Sequence, residues 1–322
     1  MDKADASFEG SKTGYKLVQG QDVNRPWDPD ADTPTVLEGV SDIHIHSTGG
    51  RIDVFALARQ ATRAGMKAIV LKNQYFPTTE AARLANEMIT EWANRQEAAL
   101  KPVKVYAGIV LNNFVGGLNP EAVRIALTFG AKKVWFPTYS SAAHVVRNTG
   151  IDKERAIKQK DLSYVLEEDH LIPSATEIIH LLSEYDAALS VGHAFLEEIW
   201  AILEEGNKAG VPVIVDHPHM GSQDIAVYDQ AKLANSGAFL NHMAANFIGL
   251  WGGLDAFKLA SDIREVGANH CIMSTDLGQV TNPAPTESLR AFIHQMQSCG
   301  LDEKEIQIMT KTNPTKVLKL ND

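Results

Sequence analysis

The sequence has few cysteines, no long apolar run and no excess of positive charge. Cys271 and Cys299 are the whole supply in 322 residues. Their positions suggest no disulfide framework, so a reducing cytoplasm is the expected compartment. No apolar stretch approaches the ~20 residues of a membrane span, and the first residues lack the basic-then-apolar order of a secretion signal. No membrane partner is therefore expected. The formal net charge is -10, and a polyanion binder needs a basic surface, so nucleic acid is not an expected partner either. No G-x-G-x-x-G follows the first apolar run, which argues against a dinucleotide-binding sheet.

What is present is enough apolar material, 44% of the chain, for one large core. Residues 1–36 are polar and interrupted by Gly10, Gly14, Gly20, Pro26, Pro29 and Pro34, which predicts an extended arm without a core of its own. Trp27 in that arm offers a contact to the body or to another subunit, the one hint of a homo-oligomer. From residue 37 onward, short apolar runs alternate with amphipathic helical stretches. The expected strands are Glu38–Ile45, Lys67–Leu71, Val103–Val110, Lys133–Phe136, Ala188–Val191, Val211–Val215, Ala238–Asn241 and His270–Thr275. Several intervening helices close on glycine, as C-caps do (Gly65, Gly130, Gly210, Gly237, Gly267). Eight strand–helix units favour a closed α/β barrel, the (β/α)8 or TIM barrel, over an open sheet.

One connection is long. Residues 139–173 carry Arg147, Lys153, Arg155, Lys158 and Lys160, then a hairpin-like Tyr164–Ile172. Loops of this length in compact domains are usually functional or disordered. At the C-terminal face of a barrel this one reads as a lid; a solvated charged excursion is the plain alternative.

The chemistry-bearing residues collect at predicted strand ends. Asp42-Ile-His44-Ile-His46 opens the barrel, and strand alternation puts both imidazoles on one side with Asp42 below them. Two imidazoles so placed can grip one divalent ion, although an isolated H-x-H is often a surface accident. His193, His217, His219 and His242 end later strands, and Asp276 ends the eighth. Six of the 11 histidines thus lie at the rim where barrels place catalytic groups. Six histidines and an aspartate there are hard to explain as core filling, because unpaired buried polar groups are costly. His144, His170, His180 and His294 fall in loops or helices and read as structural or exposed. Lys72, Asn73, Tyr75, Asn112 and Tyr139 follow strand ends as candidate contacts to a small-molecule substrate, with His219 and His242 beside them.

The order H-x-H, His, His, Asp along the strands resembles the amidohydrolase superfamily of metal-dependent hydrolases. Ser190-Val-Gly-His193, His217-Pro-His219 and the closing Thr312–Leu320 share in the likeness, and Ser274–Gln279 with Asn282–Pro285 resembles a largely uncharacterised branch. The resemblance implies an amidohydrolase-like barrel from about residue 37 to the chain end. His44, His46 and Asp276 would bind the more buried ion, Asp276 doubling as the base that takes a proton from activated water. His193 and His217 would bind a second ion or help activate water and polarise substrate. The ion implied is zinc, one or two per chain, with manganese or iron as alternatives. Many members bridge two metals with a carboxylated lysine on the fourth strand, but Lys133–Thr138 offers none at its end. Lys72, two strands early, is left with three roles: an unusual carboxylated bridge, a cation for a substrate carboxylate, or a plain salt-bridging lysine.

The activity implied is hydrolysis of an amide, cyclic amide, lactone or related bond, with an anionic substrate if Lys72 and the basic lid face inward. A metal-dependent decarboxylase of an aromatic or unsaturated acid is the alternative. Phosphoester hydrolysis wants more carboxylates than the strand ends supply, and a non-catalytic binding barrel stands last.

Overall fold

The computed structural model describes residues 35–47, 52–98, 100–220, 224–248 and 252–320. Eight parallel strands form one sheet: β1 (Ser41–His46), β2 (Ala68–Lys72), β3 (Lys104–Val110), β4 (Ala131–Trp135), β7 (Ala188–Ser190), β8 (Val213–Asp216), β9 (Phe239–Met243) and β10 (Cys271–Ser274). The remaining pair, β5 (Leu166–Glu167) and β6 (His170–Leu171), is an antiparallel hairpin inside the long connection, where the sequence predicts it. Strand order follows chain order, as right-handed strand–helix–strand repetition dictates. Every barrel strand is almost wholly buried, which is why each reads as a near-continuous apolar run.

The ring closes between its first and last members. Asp276 N donates to His44 O (2.9 Å) and His46 N to Leu277 O (2.8 Å). Closure therefore brings the end of β10 against the end of β1. This is a TIM barrel of the expected kind, with strand limits shifted by a few residues from those read in the sequence.

Two apolar layers stabilise it. Inside, Ile43, Val70, Val110, Trp135, Ala188, Ile214 and Ile272 meet Val317, Leu318 and Leu320 of the chain end. Lys316 lies over Phe239, the first residue of β9, so the C-terminal segment sits at the strand N-terminal end. Outside, Ile69, Leu71, Ile109, Val134, Leu189 and Leu240 pack under the helices. Burial of each such side chain contributes about 1.5–3 kcal/mol. Helix limits are set by local chemistry: Asp53 caps Val54–Arg63 by accepting from Ala56 N at 2.7 Å, and Gly210 ends Leu196–Ala209 at φ +69°.

The expected arm, residues 1–36, falls outside the described residues apart from its last two.

A candidate metal centre at the strand ends

Three side chains converge at the open end of the barrel. His46 Nε2 lies 2.8 Å and His44 Nε2 3.1 Å from Asp276 Oδ1. One ligand atom from each of His44, His46 and Asp276 lies within 4.8 Å of the others, and all three residues are buried. Backbone conformation aims them. Asp276 has φ +54° and His217 φ +41°, the left-handed region that non-glycine residues rarely occupy. Strain of that kind persists where the surroundings enforce it. At His217 it turns the chain, so that Asp216 and His217, consecutive residues, both face inward. Gly278, at φ +120°, packs so tightly on β1 that a Cβ would sit 2.0 Å from His46 O.

The donor set fits a cation. Burial holds His46 down to about 4, with Lys72 adding to the effect, so its imidazole is neutral at neutral pH. Burial opposes ionisation of Asp276, but the two adjoining imidazoles outweigh it and hold the carboxyl well below its usual range. A neutral His46 imidazole and an ionised Asp276 carboxylate are protonation states that metal ligation requires. The pair His44 Nε2 and Asp276 Oδ1 also sets two acceptors face to face at 3.1 Å whenever Nδ1 carries the His44 proton. A cation between them relieves that conflict.

A cavity of about 220 Å³ opens above the trio. Its wall includes Lys72, Tyr139, His144, His193, His217 and Met220. Burial pushes the pKa of Lys72 down, and its Nζ lies 2.9 Å from His44 Nε2. Burial also holds His217 down to about 4 and His193 well below its usual value. His193 and His217 meet edge to face at 4.9 Å between ring centroids, and His217 Nδ1 is buried with no hydrogen-bond partner among the described residues.

Several side chains lie elsewhere than the sequence suggests. Asp42 does not share the imidazole face: the β1–β2 register shifts between Asp42 and Ile45, and the Asp42 carboxylate instead accepts from Thr275 Oγ1 (2.6 Å), Thr275 N and His44 N. Burial raises its pKa to about 6. His219 and His242 stay out of the cavity. Asn241 points inward to Asp216 (2.7 Å), so strand alternation turns its neighbour His242 outward, where it stacks on His219 at 5.6 Å. His219 faces Asp262 of the helix Ala256–Val266 at 3.6 Å. Asn73 braces its own loop through Ser47 O and Tyr75 N, and Asn112 is occupied by Gln74, Thr138 and Ser140. Tyr75 is exposed and pairs with Phe114. Lys72 and Tyr139 do reach the cavity.

Other residues join unannounced. His144 stacks on His193 with their Nδ1 atoms 2.8 Å apart, because the helix Ala142–Thr149 of the long connection leans over the barrel end and adds Arg147 and Asn148 to the rim. A histidine at a helix N-terminus carries no such signal in sequence. His170, His180 and His294 are exposed, as expected. Of the basic residues in that connection, Lys153 and Lys158 pair with Glu197 and Glu154 instead. Beneath the trio, Lys133 and Asp216 form a fully buried ion pair at 3.1 Å.

A family model described as a family of unknown function, DUF6282, matches residues 39–241. The chain belongs to the DUF6282 family. The DUF6282 match spans β1 through the first residues of β9, and so includes His44, His46, His193 and His217 but not Asp276. No curated protein matches the sequence. Among solved structures, an amidohydrolase from Pseudomonas aeruginosa is 12% identical with a TM-score of 0.59, the alignment covering 88% of this chain and 97% of that one. A structure described as organophosphate hydrolysis activity engineered from a weak promiscuous lactonase template is 13% identical, TM-score 0.55, covering 88% and 96%. A 2,6-dihydroxybenzoate decarboxylase from Rhizobium is 13% identical, TM-score 0.52, covering 88% and 100%. At these identities the likeness establishes a shared (β/α)8 barrel fold.

Proposed function

We propose that this DUF6282 protein is a metal-dependent hydrolase acting on an amide, cyclic amide, lactone or related bond of a small anionic substrate. The observation that carries the proposal is the convergence of one ligand atom from each of His44, His46 and Asp276 within 4.8 Å of one another, with His46 and Asp276 lining the cavity. Two imidazole nitrogens and a carboxylate suit zinc, with manganese and iron as the alternatives. When bound, such an ion supplies Lewis acidity and makes water a nucleophile at neutral pH.

The protein's own groups supply the rest. Asp276 Oδ1 meets both imidazoles, leaving Oδ2 to accept a proton from the attacking water and return it to the leaving group. His217 and His193, neutral and beside the trio, polarise the substrate carbonyl or hold a second ion. Lys72 and Arg147 give the cavity wall two cations against the single carboxylate of Asp276 among its lining residues, which favours an anionic substrate. The same count weighs against phosphoester hydrolysis with several metals. Residues 139–173 act as a lid in this reading, supported by the place of His144, Arg147 and Asn148 in the cavity wall. No described helix is long and apolar enough to cross a membrane; a cytoplasmic location is proposed on the two buried free thiols.

The cationic wall beside the Tyr139 ring also supports decarboxylation of an aromatic acid. Metal analysis of the wild type and of a His44→Ala/His46→Ala variant, grown with zinc, manganese and iron, tests the centre. Stoichiometric metal in the first and none in the second is expected; a metal-free wild type refutes it. Carbon dioxide release without consumption of water would replace hydrolysis by the alternative.

A further inference from the structure

Asp216, the last residue of β8, collects more hydrogen bonds than a structural ion pair needs. Its Oδ1 accepts from Lys133 Nζ (3.1 Å) and Asn241 Nδ2 (2.7 Å), and its Oδ2 from Trp135 Nε1 (2.8 Å) and Ser190 Oγ (2.6 Å). A fifth neighbour, His44 Nδ1, lies 3.2 Å from Oδ2, off the ideal hydrogen-bond axis. These partners come from β1, β4, β7 and β9, so one carboxylate ties five strands of the barrel together. All are buried.

Donor arithmetic decides which His44 nitrogen holds the proton. Lysine, indole and amide N–H groups can only donate, and the serine hydroxyl is short enough to be donating too. Asp216 is therefore an acceptor throughout. A bare Nδ1 lone pair held 3.2 Å from it would repel it, whereas an N–H there is attracted. On the opposite edge of the ring, Lys72 Nζ lies 2.9 Å from Nε2. A lysine donor there needs a lone pair to receive it. Lys72 therefore asks for the same tautomer as Asp216, while Asp276 Oδ1, 3.1 Å from the same Nε2, is the one neighbour that favours the other. The buried Asp216 carboxylate on the Nδ1 side and the Lys72 donor on the Nε2 side together outnumber it.

We infer that Asp216 is the positioning residue of the centre: it holds the His44 proton on Nδ1 and so presents the Nε2 lone pair to the space shared with His46 and Asp276. Lys133 is the counter-ion that lets the carboxylate stay charged beneath the barrel mouth. It also donates to Ile43 O at 3.3 Å, a carbonyl in the irregular stretch of β1 just before His44. The pair thus anchors both the ring and the backbone of one ligand. Carboxylates behind ligating histidines raise the basicity of the ring and fix its orientation. The part of this inference that concerns metal affinity rests on the metal-centre reading; the tautomer does not.

The test is nitrogen-15 NMR of histidine-labelled, metal-free protein, with the His44 signal assigned by its loss in His44→Gln. The wild type is expected to show Nδ1 protonated and Nε2 bare, and Lys72→Met is expected to keep that pattern. Asp216→Asn, with its fold checked by circular dichroism, is expected to lose the tautomer preference and to bind cobalt(II) about 10–100-fold more weakly. A wild type protonated at Nε2 overturns the inference, as does a preference that vanishes in Lys72→Met. Unchanged tautomer and cobalt affinity in folded Asp216→Asn overturn it as well. If Asp216→Asn does not fold, the wild type and Lys72→Met spectra decide alone. If the wild type takes up no cobalt, the metal-centre reading falls while the spectra still decide the tautomer.

Discussion

Replacing Gly278 with alanine should damage the candidate centre without touching a ligand. The added Cβ would lie 2.0 Å from His46 O and 2.9 Å from His46 C, both backbone atoms that no rotamer change can remove. Relief demands that the ends of β1 and β10 separate by roughly 1 Å or more, since carbon–oxygen contacts much under van der Waals distance are strongly repulsive. The backbone at φ +120° adds strain of about 1–3 kcal/mol for a residue with a side chain, and overpacking adds about 1–3 kcal/mol more. Separation also weakens the closing bonds His46 N to Leu277 O and Asp276 N to His44 O. At about 2.1 cal/mol/K of unfolding entropy per residue, a barrel of this size loses roughly 1.5–2 °C of Tm per kcal/mol, so a drop of several degrees is expected in metal-free protein. Displacing reacting groups by about 1 Å can cost on the order of 10²-fold in rate, and cation affinity measured by calorimetric titration of the folded variant should fall at least about tenfold. Wild-type affinity together with wild-type Tm in Gly278→Ala would refute the packing argument and the coupling of that packing to the ligands.

Glu198 gives a pH signature away from the centre. Burial raises its pKa from 4.5 to about 7, against backbone hydrogen bonds from Phe195 and Val165 that favour the carboxylate. Between those values the native state binds more protons than the unfolded chain, so stability falls as pH rises from 4.5 to 7, by about 3 kcal/mol in all. Denaturant titrations should show a flatter pH dependence in Glu198→Gln than in the wild type; equal slopes would contradict this. His242, buried with both ring nitrogens lacking a hydrogen-bond partner among the described residues, should tolerate phenylalanine. His242→Phe is expected to keep metal content and activity and to match or exceed the wild-type Tm, and loss of metal from this variant would put His242 back in the site.

The barrel was legible because its strands are buried on both faces and its helices are punctuated by caps and glycines. Those signals are local. The side of the strand that each residue takes is not: an all-buried strand shows no alternation to read, so Lys133 looks like any strand residue although it lies inside the ring. Regular alternation also misleads at the irregular places. The register shift in β1 removes Asp42 from the imidazole face, and the left-handed turn at His217 admits two consecutive residues to the interior while sending His219 outside. His144 was invisible for another reason. Its approach to His193 depends on how a helix in the long connection folds back, and no spacing in the sequence encodes that.

Closure of the barrel has a consequence for biosynthesis. His46 and Asp276 meet across a separation of 230 residues, between the first and the last strand of the barrel. A chain arrested before residue 276 has both imidazoles but no carboxylate to complete the grip. The three-ligand set proposed above exists only once the last barrel strand has been made, and a cation held by it would be a clasp on the finished ring. Joining ends so far apart costs entropy that grows only with the logarithm of loop length. The clasp then acts on all eight strands together.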